Sequence, residues 1–170
     1  IGDARFALQA LTKELSAKTS GSGRAPGNVA AEVKSARDGE MVIYREAVAS
    51  DAMPINADRV YAGLMEVLDP HNSFVTHESG NTRDQLSTIY DTLIPRGFLG
   101  WGNVSSLGFS LAATIAAKIS FPQKHCVAVT GEAGLGYMMG NLQLPLRQHL
   151  GITVVHVSNG GFSAYRPGFW

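Results

Sequence analysis

The stretch HCVAVTGEAGLG (residues 125–136), answered further on by ITVVHVSNGG (residues 152–161), decides the fold class. Cys126 to Thr130 is a short apolar run that breaks at Gly131, and Ile152 to Val157 is a second run that breaks at Ser158-Asn-Gly-Gly161. Both have the length and β-branched content of buried strands, and Leu135 to Leu150 between them predicts a helix. Strand, crossover helix and strand imply parallel pairing with right-handed connections. The expected fold is therefore α/β, a parallel sheet with helices on both faces. In such sheets ligands bind where strand C-terminal ends meet helix N-termini. Three predicted ends carry polar, glycine-rich turns, at residues 77–81, 131–134 and 158–161.

Upstream, the same alternation continues. The glycine-spaced segment from Gly97 to Gly108 leads into a small-residue helix ending near Ile119, and Leu86 to Leu93 predicts a helix halted by Pro95. Ser73 to Thr76 predicts a strand running into the turn His77-Glu-Ser-Gly-Asn81. Asn56 or Asp58 is placed to cap a helix carrying Val60, Leu64, Val67 and Leu68, which stops before Asp69-Pro70. Phe6, Leu8, Leu11 and Leu15 recur at helical spacing over Ala4 to Leu15, whereas Ser20 to Gly27 is rich in breakers and the polar stretch to Ser50 reads as linker or peripheral helix. The expected organisation is residues 1–18 as the end of a preceding domain, 19–53 as a linker or peripheral segment, and 54–170 as the main domain.

With 45% hydrophobic and 16% charged residues, the 170-residue chain can bury one core. Its 14 Lys plus Arg balance 14 Asp plus Glu, so charge gives no reason to expect nucleic acid or a membrane surface as partner. The longest mostly apolar stretch, Val104 to Ile119, holds four Ser or Thr and falls short of the ~20 residues a bilayer span needs. The lone Cys126, in an apolar run, reads as a buried, inert thiol, and without a disulfide framework a cytoplasmic setting is expected. The start at Ile1 and the apolar end at Gly168-Phe-Trp170 read as cuts in a longer chain.

The densest cluster of chemistry is Thr130-Gly-Glu-Ala-Gly134 beside Ser158-Asn-Gly-Gly161, which adjacent parallel strands bring together. Small residues let backbone N–H groups approach a ligand closely, and a helix start favours an anion such as phosphate. Glu132 and Asn159 add hard oxygen donors of the kind Mg²⁺ takes alongside phosphate. Read alone, the same residues also describe a tight turn with Glu132 complementing the helix dipole and Asn159 capping a turn. A dinucleotide-binding turn fits poorly, because the glycine order is wrong and Val157 is followed by Ser158-Asn159 and no acidic residue.

Spacing makes the pattern specific. Gly131-Glu-Ala133 and Ser158-Asn159 resemble the motif of thiamine diphosphate (ThDP) enzymes that opens Gly-Asp-Gly and closes about two dozen residues later in Asn or Asn-Asn. Gly102-Asn-Val-Ser-Ser-Leu-Gly-Phe-Ser-Leu-Ala-Ala113 resembles the segment in which a large apolar residue before Gly-Phe bends the cofactor, here Leu107, with the carbonyl of Ser105 and the N–H of Leu107 on the aminopyrimidine ring. Phe74 to Asn81 resembles the strand and turn that touch the diphosphate through Gly80 and Asn81. The likeness is to the acetolactate synthase and 2-oxoacid decarboxylase group. It implies ThDP and Mg²⁺ as cofactors, with Gly131, Ala133 and Gly134 against the diphosphate and with Glu132, Asn159 and the carbonyl of Gly161 as metal ligands.

The resemblance further implies decarboxylation or carboligation of a 2-oxoacid by a larger parent, a homodimer or homotetramer. No catalytic residue is expected on this chain, because the activating glutamate of such enzymes sits on the pyrimidine-binding domain of a neighbouring subunit. The chain departs from the pattern where Glu132 stands for Asp, Gly134 for Ser, and Ser158 for the first Asn. These departures keep open a second reading, a non-catalytic domain of the same fold with a structural or regulatory role. His77 and Glu78 are read as turn residues, and His71, His125, His149 and His156 show no ligand spacing. Phe162, Tyr165, Arg166 and Trp170 are expected mainly in packing and solvated roles.

Overall fold

The computed structural model describes residues 2–21 and 27–161. Two compact units divide at Val42 and Ile43. The first holds two helices, α1 (Ala4–Lys18) and α2 (Val29–Met41), neither with a buried residue. Asp3 caps α1 by accepting from the N–H groups of Arg5 (2.9 Å) and Phe6 (3.2 Å). The stretch ahead of residue 50, read as linker or peripheral helix, thus contains a regular helix, whose polar sequence carries only a weak apolar stripe.

The second unit runs α3 (Arg45–Val48), α4 (Ala57–Val67), β1 (Ser73–His77), α5 (Asn81–Ile89), β2 (Phe98–Leu99), α6 (Phe109–Ser120), β3 (His125–Thr130), α7 (Glu132–Met138), α8 (Gln143–Arg147) and β4 (Ile152–His156). The four strands form one sheet in the order β2-β1-β3-β4, and every pair is parallel. Phe74 pairs with Cys126 and Val127 with Thr153. Successive side chains of a strand point to opposite faces. Val75, Val127 and Val129 therefore pack with Tyr61 of α4 and Leu86 and Ile89 of α5, whereas Phe74 and Cys126 pack with Ala117 of α6. Helices cover both faces, as the sequence predicts. Tyr44 and Val48 also lie against the first cluster. The Tyr61 hydroxyl donates to Gln85 Oε1 (3.3 Å) and is pushed up to about 12 by burial and then by Asp58, so it stays protonated. Burial likewise raises the Cys126 thiol, against the opposing pull of Lys118 and Lys124, in keeping with an inert side chain.

Three local expectations change. The helix predicted over 86–93 is α5 and starts at Asn81, because Thr82, Leu86 and Ile89 alone are buried and its polar first turns conceal the period. The helix predicted over 135–150 breaks into α7, a 3-10 turn (Met139–Leu142) and α8, consistent with Gly136, Gly140 and Pro145 interrupting it. The two-residue β2 is too short to show a period. Among the described residues, no helix is long and apolar enough to cross a membrane.

A buried polar contact ties α6 to β1. Thr76 Oγ1 lies 2.9 Å from the Ser110 carbonyl, 2.8 Å from Ser110 Oγ and 2.7 Å from Thr114 Oγ1, and all three residues are buried. Replacing Thr76 by Val keeps the shape but takes the Thr76 hydroxyl from both Ser110 and Thr114, leaving Ser110 Oγ only its longer bond to the Thr76 main-chain carbonyl (3.4 Å). Thr76→Val is expected to lower unfolding stability by about 2 kcal/mol in denaturant titration. A loss below about 0.5 kcal/mol would show the network to be dispensable.

Candidate cofactor-binding site

The C-terminal ends of β1, β3 and β4 and the loop before α6 open on one cleft of about 1120 Å³. All ten residues singled out from sequence line it: Gly80 and Asn81 after β1, Ser105 and Leu107 before α6, Gly131, Glu132, Ala133 and Gly134 after β3, and Asn159 and Gly161 after β4. Parallel pairing of β3 with β4 brings the last two turns together. Phe162, Tyr165, Arg166 and Trp170 lie outside the described residues.

Glu78 organises the floor. It is 1% exposed, and its Oε1 accepts from the N–H groups of Ser79 (3.0 Å) and Gly108 (3.1 Å) while its Oε2 accepts from that of Ser110 (3.3 Å). Gly108, the residue before α6, is left-handed (φ +89°) and offers no capping side chain, so a carboxylate from the end of β1 caps this helix instead. A Cβ on Gly108 would also overlap Met138 Cγ. A Cβ on Gly134 would overlap Cδ, Cγ and Oε2 of Glu78. Glu78 thus fills the space that a side chain at position 134, such as the serine of the family pattern, would need.

The reading of His77 and Glu78 as turn residues is corrected here. His77 is the last residue of β1, with its ring 5.4 Å from that of Phe98 and its Nδ1 3.0 Å from the Glu78 carbonyl. Both residues are buried. A polar pair at the end of a strand looks like a turn in sequence, and the donors that stabilise Glu78 lie about thirty residues away, beyond any local pattern.

Two further ties bind the walls of the cleft. Ser79 Oγ and Ser105 Oγ share a hydrogen bond of 2.5 Å, joining the turn after β1 to the loop before α6. Ser105 is itself left-handed (φ +58°), a conformation that costs energy for a residue with a Cβ. Leu107, 40% exposed, presents its side chain beside this bend as part of the cleft lining.

Across the cleft, Glu132 opens α7, and its Oε1 accepts from Ser158 Oγ (2.9 Å), the Asn159 N–H (2.7 Å) and the Gly160 N–H (2.9 Å). Burial alone would raise this carboxyl. The hydrogen bonds from its own main chain and from Ser158, Gly160 and Asn159 outweigh that and hold it below the usual range. Its charge, and the stability linked to it, are therefore present through neutral pH and are lost only as pH falls through the lowered value. Asn159 Oδ1 accepts from the Gly161 N–H (3.2 Å). No group of three or more His, Cys, Asp and Glu among the described residues is placed to hold a metal by itself.

The cleft suits a diphosphate. A Cβ at Gly80, Gly160 or Gly161 would meet nothing within 4 Å, so the main chain there faces open space without a side chain in the way. Glu132, Asn159 and the main chain at Gly161 bring hard oxygen atoms to the same cleft, the donor type a divalent ion would take.

Residues 78–167 match the C-terminal TPP binding domain of the thiamine pyrophosphate enzymes, 90 of the 170 residues (167 − 78 + 1). The chain belongs to this family and carries its cofactor-binding C-terminal domain. It is 30% identical over 110 residues to a probable acetolactate synthase large subunit of Methanocaldococcus jannaschii, covering 62% of this chain and 18% of that protein. Mouse 2-hydroxyacyl-CoA lyase 1 is 29% identical over 123 residues, covering 70% of this chain and 21% of that protein. The Arabidopsis thaliana 2-hydroxyacyl-CoA lyase aligns with 95% of this chain at 26% identity, using 28% of its own length. The chain therefore spans roughly a fifth to a quarter of these relatives.

The packing of Glu78 on Gly134 gives a direct test. Gly134→Ala is expected to cost about 2 kcal/mol of stability through overpacking, and the cost to shrink to within about 0.5 kcal/mol when Glu78 is replaced by Gly. A double-mutant cycle by denaturant unfolding measures both; equal costs in the two backgrounds would refute the steric pairing.

Proposed function

We propose that this chain is the diphosphate- and Mg²⁺-holding domain of a ThDP-dependent lyase or transferase that decarboxylates or ligates a 2-oxoacid or a related acyl substrate. The observation that carries this reading is the convergence of the 79–81, 105–107, 131–134 and 159–161 segments on one cleft. ThDP, when bound, supplies a thiazolium carbon that adds to a carbonyl and takes up the electron pair left when a bond at that carbon breaks.

The chain's own residues bind and orient. Gly80, Asn81, Gly131, Ala133 and Gly134 line the part of the cleft assigned to the diphosphate, with small side chains and main-chain N–H groups. Glu132, the Asn159 amide oxygen and the Gly161 carbonyl would hold Mg²⁺. The ion would supply positive charge there, offsetting the repulsion between a bound diphosphate and the Glu132 carboxylate. Leu107 is the apolar support beneath the cofactor, and the Ser105 carbonyl and Leu107 N–H are the groups for its aminopyrimidine ring. The bend that carries this pair is left-handed at Ser105 and tied to Ser79, which supports the reading by fixing the loop against the cleft.

No residue here is assigned the proton transfer that activates the ring. That carboxylate belongs, in this reading, to the pyrimidine-binding domain of a neighbouring subunit, so the working unit is a homodimer or homotetramer of the full-length protein and the chain alone does not turn over substrate.

Calorimetric titration of the full-length protein with ThDP tests the reading. Saturable binding is expected with Mg²⁺, weakened by about tenfold or more when the metal is chelated. Binding that ignores Mg²⁺ would favour a structural or regulatory domain of the same fold.

A further inference from the structure

We infer that Glu132 is a positioning residue that ties down the Ser158–Gly160 turn before any cofactor or metal arrives. The tie is a single carboxylate oxygen receiving three donors, one hydroxyl and two consecutive main-chain N–H groups, at 2.7 to 2.9 Å. All three donors come from residues 26 to 28 positions away, so the contact joins the start of α7 to the segment leaving β4. Such charge-assisted bonds are the stronger kind, and here they satisfy two N–H groups that the turn otherwise leaves to water. Glu132 Oε2 takes part in none of these three bonds.

Side-chain length decides the matter. Glu132 is the first residue of α7, and its extra methylene relative to Asp extends the carboxylate by about 1.3 Å along the side chain. An Asp there would carry the same charge but draw back from the turn. The residue facing it, Ser158, is short and ends in a hydroxyl that donates to the same oxygen. Asn159 then accepts from the Gly161 N–H through its side chain, which extends the ordered turn by one more bond. The residues that the cofactor reading assigns to the metal are thus held in place by protein contacts. A turn already held by protein contacts leaves less of the chain to order when a cation binds, and preorganisation of this kind lowers the cost of binding.

The inference goes beyond the cofactor reading and does not need it, since it concerns the metal-free protein. Hydrogen exchange at the Asn159 and Gly160 amides of the full-length protein tests it in chelator, without ThDP. Protection about tenfold or more above the unstructured rate is expected for the wild type, and adding Mg²⁺ and ThDP is expected to change it by less than about threefold. Glu132→Asp is expected to lose most of that protection. Glu132→Gln, which keeps the length and an acceptor oxygen but makes weaker neutral bonds, is expected to keep more of it than Glu132→Asp. The β3 amides serve as the internal control for folding in each variant.

A metal-ligand role alone predicts the opposite order: in calorimetry with ThDP, Glu132→Gln loses the Mg²⁺ dependence and Glu132→Asp retains it. Wild-type amides that exchange freely without metal and become protected only when Mg²⁺ and ThDP are added would overturn the inference. So would Glu132→Asp amides as protected as those of the wild type. Should a variant fail to fold, the wild-type measurement still decides. Failure of the cofactor reading shows separately, as absent ThDP binding with the turn protected.

Discussion

A carboxylate removed from water must be surrounded by donors, and Glu78 meets that requirement at the point where β1 ends. Its two oxygens gather N–H groups from Ser79, Gly108 and Ser110, which ties the strand end to the start of α6. Leu107 and Ser105 immediately precede that helix, so their place on the cleft wall follows from the capping. On the other side the same carboxylate rests on the backbone of Gly134, which sets how closely α7 approaches β1. Met138, farther along α7, closes on Gly108. A ring of contacts results, from β1 to α6 to α7 and back, and the cleft opens above it.

Seen from that ring, the departures from the family pattern lose their independence. Gly134 is the partner of Glu78, and Ser158 hydrogen-bonds to Glu132. These residues thus fall into two contact pairs, one beneath the cleft and one at its rim.

The sequence made the parallel sheet legible because β3 and β4 end abruptly in glycine turns with a crossover length between them, and because Phe74 to Thr76 repeats the buried, β-branched pattern. The turns that build the cleft were legible for the same reason: small residues and oxygen donors at fixed spacing leave a trace in one dimension. Glu78 left none. Its role depends on donors contributed by a helix about thirty residues away, and a charged residue beside a turn reads as solvent-exposed unless those donors are known. The start of α5 was hidden by its polar first turns, and the break between α7 and α8 by the apolar residues Met138, Met139, Leu142, Leu144 and Leu146 that recur around Gly140 and Pro145. Both misreadings concern boundaries, where hydrogen bonding outweighs periodicity.

The packing of Glu78 on Gly134 also makes one unit of two positions far apart in the chain. A side chain at position 134 and the glutamate at position 78 claim the same volume, so position 134 cannot gain a side chain while Glu78 stays where it is. What the two residues share is a fixed amount of room, and the shape of the cleft floor depends on how it is divided between them.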